Sequence, residues 1–493
     1  MRKLIPYILL LLLLPLLWLN VKNSHDWGDD FAQYLIQAKN IVEGKSQTDN
    51  GLIFDNEAGR FAVSVYPVGL PLLLSPVVAV SGIQIKPLLL LESLFLIILG
   101  MLSFQFFRKY FSDIVSVLLA LFLCYHSLTL ELKSQVLSEI PFTIFLLSIF
   151  LVLRSEGFNL KKCLLLGFLC AFLASLRIVG VLIIPAIALY LLQKYLREKD
   201  HAKALEISRT KIFMIISLSG TIIFLLLNVI LFNISLSTFF GFYLDANRVH
   251  ETDFTNNLLS YYEQLAYTFN IPYSNMLRWS PVCTLLILIG FVQDVRKNTS
   301  PVSWFLLLYL GVIGLYPYTS GGFRFLFPIF PILILYFFEG IRTLIEKTGS
   351  FVQRSILIVT SLLLLYSQYY PLKQILKQDS SITEGPQDAD SQEMFAFISN
   401  KTSINAVVAF PRARAMSLYG NRSATYLLKT KSGEENVALF EKLHVSHVVA
   451  DKGNPESPLY DPALLNYLQY DHDNLRIVWE NEGYTVYQLL KQD

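Results

Sequence analysis

Apolar runs long enough to suggest membrane helices alternate with short polar stretches over the first three-quarters of the chain. The runs cover residues 4–20, 85–106, 112–128, 138–153, 162–176, 178–194, 211–232, 279–294, 301–318, 325–345 and 352–370. An upright transmembrane helix needs roughly 20 apolar residues, and several of these runs are somewhat shorter. The pattern predicts a polytopic α-helical membrane protein with about eleven transmembrane helices. The first run follows Arg2 and Lys3 as a signal peptide would, but NVKNSHDW after it offers no small-x-small cleavage site. It reads as a retained anchor.

Positive charge sets the orientation. Arg2 and Lys3, Arg108 and Lys109, Arg154 with Lys161 and Lys162, Lys194 through Lys211, Arg296 and Lys297, and Arg342, Lys347 and Arg354 all flank one side. That side is expected to be cytoplasmic. The loop 21–84, the short 129–137 turn, the tip at 177, the loop 233–278, the turn 319–324 and the C-terminal region then lie outside. No internal repeat is visible, which argues mildly against transporters built from two repeated halves.

Beyond residue 370 the pattern changes. Residues 1–370 form the expected membrane domain, 371–384 a linker, and 385–493 a small extracytoplasmic α/β domain of about 100 residues. Strand-like runs INAVVAF (404–410), SHVVA (446–450), NLRIVWE (474–480) and YTVYQLL (484–490) alternate with helix-like ones such as EENVALFEKL (434–443).

Composition changes this picture little. Hydrophobic residues make up 54% of the 493 positions and charged residues 16%, below the roughly 25% of soluble domains. A net charge of +2 with no basic domain excludes nucleic acid as an expected partner. Cys124, Cys163, Cys170 and Cys283 all fall inside apolar runs and predict no extracytoplasmic disulfide.

Candidate chemistry begins at WGDDFAQYLIQAKNIVEG, residues 27–44. From Phe31, apolar residues recur at 31, 34, 35, 38, 41 and 42, which predicts a helix capped by Gly44. Gln33, Gln37, Lys39, Asn40 and Glu43 form its polar face, so the helix is expected along the outer membrane interface. Asp29 and Asp30 stand at its N-terminus. They serve there as caps for free N–H groups, or one works as a base while its neighbour caps. Further ionisable groups are expected at the same depth: Glu139 in LSEIPF, Arg177 in ASLRIVG and Arg324 in TSGGFRFLFP. Each alone reads equally as a snorkelling anchor, but together they suggest a polar cavity. Asp245, Arg248, His250 and Glu251 read as solvated loop. Arg412 and Arg414 in FPRARAMSLYG would share a face if extended; they read as ordinary surface, with contact to an anionic acceptor as the alternative. His444 and His447 are not spaced for a metal site.

These residues resemble the GT-C superfamily of integral-membrane glycosyltransferases, which includes the protein O-mannosyltransferases and the lipid A aminoarabinose transferases. The resemblance rests on Asp29-Asp30 followed by Tyr34, Ala38 and Gly44, on Tyr66-Pro67-x-Gly69, on Ser138-Glu139, on Leu176-Arg177 and on Arg324-Phe325-x-x-Pro328. It covers nearly all of residues 1–370. The family's pair is commonly Asp-Glu, and the WWDYG-type motif of the oligosaccharyltransferases is missing here.

The resemblance implies an inverting transfer of a sugar from a polyprenyl-phosphate donor. The acceptor would be a glycan, lipid or protein at the outer face, with membrane lipids around it. Asp29, by position, would be the base, with Asp30 an alternative and Asp26 a backup. Arg324, then Arg177, would hold the lipid phosphate. Glu139 would orient the acceptor or an arginine, and Tyr66 and Tyr34 would be substrate-contact candidates. A divalent metal is possible, although no spacing of the acids supports one. The expected location is a bacterial inner membrane. Two other readings compete: a polysaccharide transporter or flippase, which would place charges near the bilayer midplane, and a scaffold acting through residues 385–493.

Overall fold

The structure is a computed structural model, and it describes residues 3–53, 65–155, 159–197, 202–236, 254–269, 279–297, 300–316, 322–377, 385–426, 432–453 and 457–490. Asp245, Arg248, His250 and Glu251 lie outside the described residues, as does part of the expected linker. The chain divides into two compact units. One holds residues 1–21, 90–231 and 243–379, and the other holds 22–89, 232–242 and 380–493.

The first unit is helical. All eleven apolar runs carry helix, from Ile5–Leu13, continued by a 3-10 turn over Leu14–Leu17, to Ser350–Ser367. Among the described residues, four helices are long and apolar enough to cross a membrane: Ile85–Phe107, Lys211–Leu231, Phe323–Leu344 and Ser350–Lys377. The count is five if the bent pair Asp113–Tyr125 and Ser127–Lys133 forms one span. These helices make the chain a multi-pass membrane protein. The bend of 55° falls at His126, whose extended backbone breaks the helical ladder and whose Nε2 lies 3.0 Å from the Thr268 carbonyl. The expected 129–137 turn is therefore largely helix, and it delivers a buried Lys133 to Ser93 Oγ at 2.9 Å. Close helix crossings rely on small residues. A Cβ on Gly290 would stand 2.0 Å from the Tyr336 carbonyl oxygen of the neighbouring helix.

The second unit is built on a five-stranded sheet of order β2-β1-β3-β5-β4. The strands are β1 (Val407–Ala409), β2 (Ser423–Thr425), β3 (His447–Asp451), β4 (Leu475–Glu480) and β5 (Tyr484–Leu489). Strand β1 pairs parallel with β2 and β3, while β5 pairs antiparallel with β3 and β4. Parallel neighbours need crossover connections. The Ala413–Gly420 helix joins β1 to β2, and the Gly433–Lys442 helix joins β2 to β3. A capping box of Ser432 and Glu435 starts the latter. Val407, Ala409, Phe440, Val448, Leu464 and Tyr467 fill the core on one face. Four of the five strands lie on the strand-like runs of the sequence; β2, in NRSATY, has no such signal.

Residues 22–89 fold into the same unit. Ala424 of β2 donates its N–H to the Gly51 carbonyl at 2.9 Å, and Ile53 donates back to the Ala424 carbonyl at 2.9 Å. Ile53 then packs on the sheet core. The helix Asp30–Glu43 is buried around most of its circumference, which corrects the expectation of a polar face at an interface. Gln33, Gln37 and Asn40 are all buried, because each finds a partner. Gln37 receives the Tyr66 N–H and donates to the Tyr66 carbonyl, both at 2.9 Å. Asn40 donates to the Ser46 and Asp49 carbonyls at 3.0 and 2.7 Å.

Two glycines test this docking. Gly44 closes the helix at φ 66°, with open space where a Cβ would go. Gly51 has φ 68°, but a Cβ there would stand 2.0 Å from Ser417 Oγ, which holds the Asn50 carbonyl at 2.8 Å. Gly44→Ala is expected to cost about 1 kcal/mol for the left-handed backbone alone. Gly51→Ala adds a clash or a lost hydrogen bond, about 1 kcal/mol more. Thermal unfolding of the detergent-purified chain should rank the melting temperatures as wild type, then Gly44→Ala, then Gly51→Ala.

Candidate functional site

Two charge clusters stand out, one in each unit. In the second unit, Asp29 immediately precedes the Asp30–Glu43 helix, yet its side chain makes no capping hydrogen bond. Its Oδ2 accepts from the Tyr426 hydroxyl instead. Its Oδ1 is buried and has no hydrogen-bond partner among the described residues. Asp30 Oδ1 accepts from the Tyr66 hydroxyl at 2.5 Å. The Tyr66 oxygen in turn accepts from Arg414 Nη1 at 2.6 Å, and the guanidinium carbon lies 4.7 Å from the centre of the Tyr66 ring. Arg414 reaches both acids, with Nη1 3.6 Å from Asp30 Oδ1 and Nε 3.9 Å from Asp29 Oδ2. Tyr34 packs 4.9 Å from Tyr66, ring to ring.

The sheet explains why these side chains meet. Ligand sites in open α/β sheets lie outside the carboxyl ends of parallel strands, where strand order reverses. Arg414 enters the helix that follows β1, and Tyr426 follows β2 directly. Both therefore stand at the carboxyl ends of two neighbouring parallel strands. The expectation that Arg412 and Arg414 are surface residues fails for Arg414, whose side chain is 3% exposed. The chain there is helical, not extended.

Burial raises the Asp29 carboxyl above its usual range; Arg414, Tyr426 and Arg412 offset this only in part, and Asp30 adds to it. Burial also raises the phenols of Tyr66 and Tyr426, so both stay neutral donors. For Arg414, burial opposes the charge, but Tyr426, Tyr66, Asp29 and Asp30 outweigh it and hold the group protonated. Asp26 belongs to a different arrangement. Its Oδ1 accepts the Gly28 N–H at 3.0 Å and pairs with His25 Nδ1 at 3.0 Å. Partial burial opposes its charge, yet these contacts hold the carboxyl below its usual range, which makes it a poor proton acceptor.

In the first unit the signs are reversed. Glu139 opens the Glu139–Arg154 helix and is fully buried. Its Oε1 receives Arg177 Nη1 at 2.5 Å and also Arg324 Nε. Arg177 ends the Leu160–Leu176 helix in extended backbone, and also donates to Ser138 Oγ at 3.3 Å. Arg324 sits on the short Phe323–Leu326 turn of helix, held by Gly322 at φ 48°. The structure thus brings Glu139, Arg177 and Arg324 together, and separately Asp29, Asp30, Tyr34 and Tyr66. In the first set two guanidiniums meet one carboxylate oxygen; in the second one guanidinium, that of Arg414, meets two carboxyls.

No family model matches the chain, and no curated protein sequence matches it. Solved structures do. ArnT from Cupriavidus metallidurans, solved in the apo state, superposes with a TM-score of 0.60 at 9% identity over 99% of both chains. The same protein has been solved bound to undecaprenyl phosphate, with a TM-score of 0.59. The oligosaccharyltransferase AglB from Archaeoglobus fulgidus, in complex with an inhibitory peptide and a dolichol-phosphate, matches at 0.58 and 12% identity over 91% of this chain and 69% of that one.

The chain shares its fold with ArnT and AglB. The similarity lies in shape far more than in sequence, which is why only the structure exposes it fully. Within this fold, Arg414 and Tyr426 join the candidate site without having been singled out for it in the sequence. Tyr426 gave no signal, and the spacing of Arg412 and Arg414 pointed to a strand face.

The raised carboxyl of Asp29 has a consequence for stability. A carboxyl raised above its ordinary 3.8 stabilises the fold only while protonated. That contribution is complete below the unfolded pKa and is lost as pH rises through the native one. Asp29→Asn removes the buried charge, so it should melt no lower than wild type at pH 7.5, with the difference narrowing toward pH 4. Melting curves across this range check the sign; a fall of several degrees at pH 7.5 would contradict it.

Proposed function

We propose that the chain is an inverting glycosyltransferase that moves a sugar from a polyprenyl-phosphate donor to an acceptor at the outer face of the membrane. The observation that carries this reading is the acid pair at the helix N-terminus. Asp29 caps nothing, and keeps one buried carboxylate oxygen without a hydrogen-bond partner among the described residues. A carboxylate raised in pKa is a stronger base than a surface aspartate, and one such oxygen can take the proton of an attacking hydroxyl. Asp29 is therefore assigned as the base and Asp30 as its hydrogen-bonded neighbour.

The departing group is a lipid phosphate, which gains charge as the glycosidic bond breaks. Arg177 and Arg324 suit it, because a guanidinium binds phosphate bidentately and stays protonated. Glu139 holds both arginines by one oxygen, which positions the two forks side by side. The ligands bound in the ArnT and AglB structures, undecaprenyl phosphate and a dolichol-phosphate, support a lipid-phosphate donor of this chemistry. This reading takes the eleven apolar helices as crossings, with shorter ones completing the bundle. It takes the membrane as a bacterial inner membrane, with the acid pair and residues 385–493 on its periplasmic side.

The test is sugar transfer from a polyprenyl-phosphate donor by membranes or purified protein. Asp29→Asn should lower kcat by about 10²-fold or more with normal expression. Arg324→Gln and Arg177→Gln should weaken donor use. Full activity in Asp29→Asn would remove the base, and a transporter would show no transfer in any variant while still moving a lipid-linked glycan.

A further inference from the structure

The C-terminal segment does more than fold beside the acid pair. Arg414 comes from a residue more than 380 positions after Asp29, yet its side chain is 3% exposed and its fork meets three groups of the site. It donates to the Tyr66 hydroxyl at 2.6 Å, lies 3.6 Å from Asp30 Oδ1 and 3.9 Å from Asp29 Oδ2. Tyr66 is itself held through its backbone by Gln37, so its ring gives the guanidinium a fixed platform.

We propose that Arg414 is a positioning residue of the transferase: it orients Asp29 and Asp30 through direct ion pairs and through Tyr66, so that Asp29 alone is left to accept the proton. This rests on the reading of Asp29 as base. The hydroxyl of Tyr66 points its proton at Asp30 because Arg414 occupies the oxygen's acceptor side. Asp30 is thereby committed to a hydrogen bond. Tyr426 takes Asp29 Oδ2, which leaves Oδ1 as the carboxylate oxygen without a hydrogen-bond partner among the described residues. Arg414 therefore chooses between two adjacent carboxylates without touching the sugar. The charged and titratable groups acting on Asp29 are Arg414, Arg412, Asp30 and Tyr426, with Tyr66 between Arg414 and Asp30.

The test uses the full chain in detergent and two readouts. Carbodiimides react with protonated carboxyls, so labelling of Asp29, measured by peptide mass spectrometry from pH 4 to 9, reports its titration without any donor. Arg414→Gln should raise the pH of half-labelling by about one unit, the size of effect a close cation exerts. Arg414→Lys keeps the charge but loses the fork. It should leave half-labelling near wild type and still lower kcat/KM at least about fivefold. The acidic limb of the kcat/KM profile should move upward in the glutamine variant alone.

An unmoved half-labelling pH in folded Arg414→Gln would overturn the proposal. So would full kcat/KM in Arg414→Lys, which decides the matter if the glutamine variant does not fold. Wild-type sugar transfer by Asp29→Asn is a separate failure: it would refute the base assignment whatever the labelling shows.

Discussion

A charge leaves water only with a partner, and the architecture of this chain follows from how two such debts are settled. Isolated buried ions cost several kcal/mol each, so buried charges come paired. Here the pairing is deliberately unequal. Arg414 faces two aspartates, and Glu139 faces two arginines. In one cluster two carboxyls share a single guanidinium, and in the other two guanidiniums share a single carboxylate oxygen.

Holding such arrangements needs rigid supports, and both clusters have them. The acids start a helix whose Gln37 and Asn40 side chains are hydrogen-bonded inside the unit, so the helix cannot rotate without breaking the Gln37 clamp on Tyr66. Arg414 and Tyr426 hang from the carboxyl ends of strands whose core is apolar and closed. Within the first unit, Glu139 begins one helix while Arg177 ends another, so helix termini fix where the three side chains meet.

How much of this could be read from sequence depends on range. The apolar helices were legible because burial in lipid leaves a long local signal. So were strands such as His447–Asp451 and Tyr484–Leu489, whose runs are rich in β-branched and aromatic residues. Gly44 as the helix cap was legible from one residue. The burial of Gln33 and Gln37 was not, since polar residues on one face normally mark solvent; Gln33 bonds to Gln37, and the further partners of Gln37 lie at Gln47 and Tyr66. Lys133 was invisible for the same reason: a bend at His126, not a pattern, carries it inward. Arg414 and Tyr426 depend on pairing between segments some 400 residues apart, which no local period encodes. The individual acids and arginines were nameable in advance; their partners were not.

A structure of the full chain with a polyprenyl phosphate bound tests the account most directly. Phosphate oxygens are expected at about 3 Å from the guanidinium groups of Arg324 and Arg177, the distance of a charge-assisted hydrogen bond. A phosphate held elsewhere, with both arginines still engaged only by Glu139, would contradict it.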